Sequence, residues 1–71
     1  MITPTRQELL RKMAELSELS PEVRLGQLLA HLGFLGEDRL GIGLGEIADE
    51  QLLEVMEGHR VELSLRQQHV A

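Results

Sequence analysis

The sequence predicts an all-α fold: a small three-helix domain with a Gly-rich loop between helices 2 and 3. A C-terminal tail is left open between extended and helical. Three observations lead there. Leucines recur at helical spacing over most of the chain. Helix start and stop residues bracket three stretches, about 5–18, 20–33 and 49–58. Gly36, Gly41, Gly43 and Gly45 crowd between the second and third of these. Seventy-one residues make a single domain, residues 1–71, with its core in 5–58 and its tail in 59–71. A chain this short buries only about 60% of its unfolded surface, so the core is thin.

The first helix has two possible starts. Thr5 with Glu8 three residues on fits a capping box, and Thr3–Pro4 would begin the helix two residues earlier. Leu9, Met13 and Leu16 form its apolar stripe, while Glu8, Arg11, Lys12, Glu15 and Glu18 gather opposite as a solvated face. The pairs Glu8–Lys12 and Arg11–Glu15 are four apart and add about 0.2–0.5 kcal/mol each. The second helix is the organising one in this reading. Ser20 is placed as its N-cap, Pro21 as its first residue, and Gly33 as its stop, with Phe34 folding back onto Leu29. Leu25, Leu28, Leu29 and Leu32 share one stripe. Gly26 and Ala30 form a small flank that lets another backbone come close, and Arg24, Gln27 and His31 form a polar strip. Such a helix is expected between the other two.

Residues 35–48 then read as a loop pinned to the core by some of Leu35, Leu40, Ile42, Leu44 and Ile47. The run Gly41-Ile42-Gly43-Leu44-Gly45 is not a phosphate loop. No strand leads into it, no Lys follows it, and no Ser or Thr is placed for magnesium. Asp49 is the N-cap expected for the third helix. Leu52, Leu53 and Met56 form its face, Gly58 stops it, and passage through Gly58 would cost about 1 kcal/mol. Beyond it Val61, Leu63 and Leu65 alternate with Glu62 and Ser64, the period of a half-buried strand. A strand there needs a partner, either residues 40–44 or the same segment of a second copy.

Composition excludes several functions. Seven Lys and Arg stand against twelve Asp and Glu, a net charge of −5. Nucleic-acid binding needs a basic face to neutralise phosphate, so no nucleic-acid partner is expected. Phe34 is the single aromatic, so bases or sugars have no stacking platform. With no long apolar run and no basic–apolar leader, no membrane partner is expected and the expected compartment is cytoplasmic. There is no cysteine, hence no disulfide or thiolate chemistry. Ser17, Ser20 and Ser64 have no glycine elbow or adjacent base, and His31, His59 and His69 are not spaced as a metal set. No catalytic residue, metal or cofactor is expected, and the chain reads as a non-enzyme.

Two stretches carry a resemblance. Arg24-Leu25-Gly26-Gln27-Leu28-Leu29 and Ile47-Ala48-Asp49-Glu50-Gln51-Leu52-Leu53 resemble the signature helices of a group of small, uncharacterised bacterial proteins. In that group an Arg-x-Gly-Gln-Leu helix precedes a variable loop and an Ile-x-Asp-x-x-Leu-Leu helix. The resemblance covers roughly residues 9–57. It implies a bacterial, intracellular setting, marks Arg24 and Gln27 for mutation, and carries no assigned function.

The function expected is therefore a non-enzymatic protein–protein interaction module that works on another protein or on itself. Its binding residues are read as Arg24, Gln27, His31, Leu53 and Met56, around an apolar groove beside Leu25, Leu29 or the Leu52–Met56 face. A homodimer would run through residues 59–70. The alternative is a small ligand-binding or catalytic accessory protein using the Gly-rich loop and His31, which requires a concave pocket with His31 at its wall.

Overall fold

The computed structural model describes residues 1–69, with side chains described through Gln67. They form three α-helices, α1 (Pro4–Leu19), α2 (Leu25–Leu40) and α3 (Asp49–His69), with a short 3-10 turn at Leu44–Glu46. No strand occurs among the described residues. α1 starts by the earlier of its two options. Thr3 is the N-cap, its hydroxyl accepting from the Arg6 N–H at 3.1 Å, and Pro4 takes the first turn.

The second helix begins and ends later than its start and stop residues suggest. Ser20 closes α1 instead of opening α2: its N–H and its hydroxyl both donate to the Leu16 carbonyl, at 3.1 and 2.8 Å. Pro21 then occupies a turn closed by the Val23 N–H on the Ser20 carbonyl. The dipeptide Ser-Pro suits both roles, because proline's fixed φ serves a turn as well as a first helical turn. The N-cap is Arg24, whose N–H donates to the Gln27 side-chain oxygen at 3.2 Å. Only this return half of a capping box can form, since a guanidinium has no acceptor. α2 runs through Gly33 and Gly36 and stops at Gly41, which is left-handed at φ 71°. Gly36 is buried, and an added Cβ there would meet the Ile47 side chain. The glycine is therefore what lets the segment before α3 lie on α2. Phe34 does not fold back; it is exposed.

α3 passes through Gly58 to His69, so most of the expected tail is the second half of this helix. The alternating Val61–Leu65 pattern left the tail open because only Leu63 is drawn to the core, while Val61 and Leu65 stay exposed on α3. Ala48, rather than Asp49, sits at the N-cap: its carbonyl accepts from Leu52 and its N–H donates to the Gln51 side chain at 3.3 Å. α2 and α3 thus open with the same device, a glutamine at the third helical position holding the cap N–H. Asp49 instead pairs with Arg6 across the molecule at 3.0 Å.

The helix held between the others is α3, not α2. α1 runs parallel to it, joined by Arg6–Asp49 at one end, Lys12–Glu57 at 2.7 Å in the middle, and the Gln67 amide on the Leu19 carbonyl at the other. α2 returns in the opposite sense, with Gly36 beside Ile47 near the start of α3 and His31 beside His59 further along. Leu9 and Leu16 of α1, Leu28 and Leu32 of α2, and Val55 and Met56 of α3 make the core. Leu63 packs against it from beyond Gly58. The charged side of α1 is only partly solvated: Lys12 and Glu15 meet Glu57 and Arg60 in a cluster between α1 and α3.

Two glycines of α2 should respond oppositely to alanine. Gly26 is exposed with nothing within 4 Å, so Gly26→Ala should raise stability by up to about 1 kcal/mol. Gly36→Ala should lower it by about 1 kcal/mol, since overpacking against Ile47 outweighs the propensity gain. Urea unfolding of both variants checks the pair, and adding Ile47→Val should recover part of the Gly36→Ala loss. The cluster between α1 and α3 makes a second prediction. Hydrogen bonds from Arg60 and then Lys12 hold the Glu57 carboxyl down at about 2. Its contribution is present above pH 4.5 and is lost as pH falls toward 2. Glu57 is 43% exposed, so Glu57→Gln should cost no more than about 1 kcal/mol at pH 7. The difference from the parent chain should vanish in urea titrations near pH 2.

Candidate functional site

The sequence-level binding residues separate once the chain is folded. Met56 lies in the core at 2% exposure, and Leu53 is half-buried against that core, so the Leu52–Met56 face is closed to a partner. α1 and α2 both need it, and a 71-residue chain has no spare core face. Arg24 and Gln27 are exposed, but they are tied to each other by the α2 cap. Replacing Gln27 therefore alters the helix start as well as the surface. Gly26 and Ala30, expected beneath another backbone, are both exposed.

What the structure does bring together is Gln27 and His31 on α2 with His59 and Arg66 on α3. They line a groove of about 320 Å³ whose apolar wall is Val23, Leu28 and Leu63. Ser20 and Val23, from the turn before α2, close its end, and a second hollow continues from there past Leu19 and Gln67. His31 is exposed at the rim. The Gly-rich segment is at the other end of α2 and contributes nothing to this groove.

His59 is the residue that sequence reading passed over. It is buried at 5% exposure, and its ring centroid lies 4.6 Å from that of His31, tilted by 54°. Its Nδ1 is buried without a hydrogen-bond partner; the nearest carboxylate, Glu62, is 3.6 Å away, too far for a hydrogen bond. A buried polar atom left unpaired costs about 1–3 kcal/mol. Burial first, then the neighbouring His31, pushes the ring below its ordinary value, against a weaker upward pull from Glu62. Helical spacing held a signal for this: His59 is four residues after Val55 and four before Leu63, both core-facing. It was hidden by assigning Gly58 as the helix end.

Among the described residues no group of three or more His, Asp or Glu side chains is assembled for a metal. The two histidines lack the further ligands that a zinc site requires. The Ser20 hydroxyl donates to the Leu16 carbonyl. No helix among the described residues is long and apolar enough to cross a membrane. In comparison with known proteins, the chain matches no family model, no curated protein and no solved structure.

The depressed His59 predicts a pH dependence. The unfolded chain takes up a proton near pH 6.5 and the folded chain only at lower pH, so stability should fall as pH drops below about 6.5. The groups facing His59 are His31 from α2, and Glu62 and Arg66 from α3. Thermal unfolding between pH 7.5 and 5.5 should show a falling midpoint. His59→Leu should flatten that profile, whatever its effect on the midpoint at pH 7.5.

Proposed function

We propose that this chain is a non-enzymatic protein–protein interaction module whose working surface is the outer face of α2, and that the face fits a second copy of the chain. One observation supports this most. Phe34, the single aromatic residue, is 69% exposed. It shares a stripe with Ala30 and Gly26, four and eight residues before it, and nothing lies within 4 Å of the Gly26 Cβ position. Leu25 and Leu29 flank the stripe and are exposed too. An apolar patch of this kind on a small domain marks an interaction surface.

The stripe is self-complementary. A twofold axis near Ala30 would run two α2 helices antiparallel and seat each Phe34 over the other copy's Gly26, large on small. Twofold interfaces use one patch on both partners, so such a match is what a homodimer requires. We favour this face over the pairing first expected through residues 59–70, of which 59–69 are helical and residue 70 lies outside the described ones. A cytoplasmic location in a bacterial cell belongs to the same reading, supported by the absence of cysteine and by the two resembling stretches. So does kinship with the group that those stretches resemble; both stretches contain the glutamine that caps a helix.

Light scattering after size exclusion tests the pairing. The parent chain should show twice the monomer mass at tens of micromolar, and Phe34→Asp should be monomeric with an unchanged helical circular-dichroism spectrum. A parent chain that stays monomeric at every concentration would sink the pairing. So would a dimer that survives Phe34→Asp but is lost in Leu65→Asp.

A further inference from the structure

We infer that the groove between α2 and α3 is a binding site for a small amphipathic monocarboxylate, with Arg66 and the histidine pair taking the carboxylate and Val23, Leu28 and Leu63 taking the hydrocarbon. This does not rest on the outer face of α2. It starts from an unexplained cost. His59 is more than nine-tenths buried on the wall of the groove, with an unpartnered ring nitrogen, in a domain that has little stability to spare. Burying a histidine there in place of a leucine makes the fold no better; it supplies a polar ring to the lining of the groove.

The size and chemistry of the groove follow the pattern of ligand sites. Its 320 Å³ is at the small end of the usual range of about 300–1,000 Å³. Its lining combines aliphatic Val23, Leu28 and Leu63 with polar groups from both helices, Gln27 and His31 of α2 and His59 and Arg66 of α3. Arg66 offers a fork of N–H donors, and the amide nitrogen of Gln27 is free to donate because the side-chain oxygen is held by the Arg24 N–H. His31 adds a ring nitrogen that can donate.

Charge selects the class. The chain as a whole is acidic, yet Arg66 is the permanent charge among the residues lining this groove. One arginine suits a single negative charge. Glu62 stands 3.6 Å from His59, and Glu22 lines the adjoining hollow; both work against a dianion such as a phosphate monoester. The apolar wall in turn requires a hydrocarbon part beside the carboxylate.

Sodium octanoate is the probe, with 1-octanol as its uncharged counterpart, followed by two-dimensional amide NMR on the full chain. Octanoate should give saturable shifts concentrated at Val23, His31, His59 and Leu63. Arg66→Gln, an exposed position that leaves the core untouched, should weaken octanoate binding at least tenfold. 1-Octanol should bind the parent at least tenfold more weakly than octanoate does, and should not distinguish the parent from Arg66→Gln. The site is overturned by any of three results: shifts that never saturate, equal binding of octanoate and 1-octanol, or equal binding of octanoate to parent and Arg66→Gln. Shifts confined to the outer stripe Gly26, Ala30 and Phe34 would also overturn it, and would place the ligand on the proposed pairing face instead.

Discussion

The structure depends on one constraint: α3 has to serve two neighbours at once. Val55 and Met56 face a core to which α1 brings Leu9 and Leu16 and α2 brings Leu28 and Leu32. α1 packs chiefly on α3, and α2 packs on α3 and on the Leu44–Ile47 segment that leads into it. A chain of this size cannot build a second layer, so the two outer helices are held by what α3 offers each of them. α1 is aligned along it by Arg6–Asp49, Lys12–Glu57 and Gln67–Leu19, spaced from end to end. α2 is placed by a different means. Gly36 admits Ile47, and that approach fixes where the chain re-enters α3. In the other long helix, the guanidinium of Arg39 lies where a Cβ of Gly58 would be. Each mid-helix glycine gives up about 1 kcal/mol of helix propensity and gains close packing in return.

The groove follows from that placement. α2 meets α3 in the opposite sense, with the turn from Ser20 to Arg24 at its beginning. Val23, in that turn, lines the hollow together with Leu28 of α2 and Leu63 of α3. His59 lies on its inner wall, where a leucine would have packed. Its burial and its closeness to His31 come from the same geometry, and so does its depressed basicity. The outer face of α2 is the counterpart: turning Leu28, Leu32 and Gly36 inward leaves Gly26, Ala30 and Phe34 outward. Both proposed surfaces are therefore consequences of one helix orientation.

Local signals in the chain were read well where a single physical cause acted. Gly41, Gly43 and Gly45 lie between α2 and α3 as their chemistry dictates, whereas Gly36 of the same expected loop lies inside α2, and Thr5–Glu8 yields to Thr3–Pro4 at the start of α1. Signals with two possible uses went the other way. Ser20–Pro21 can open a helix or make a turn, and Gly33 can stop a helix or sit inside one. The choice between them is made by residues far away in sequence, by Ile47 against Gly36 and by Leu44 beside Gly33. The tail was ambiguous for a related reason. Leu63 is drawn to the core while Val61 and Leu65 stay exposed, and five residues cannot tell that arrangement from a strand.

By itself, then, the sequence determined the fold class and the number of helices. Periodicity, caps and charge are properties of neighbouring residues and can be read locally. Tertiary structure alone decided which helix is shared, where α2 starts and stops, and that His59 is buried beside His31. Those outcomes depend on which surfaces meet between residues as many as 48 positions apart, as in Gln67 with Leu19. The free energy of such meetings exceeds the small local preferences that the chain advertises.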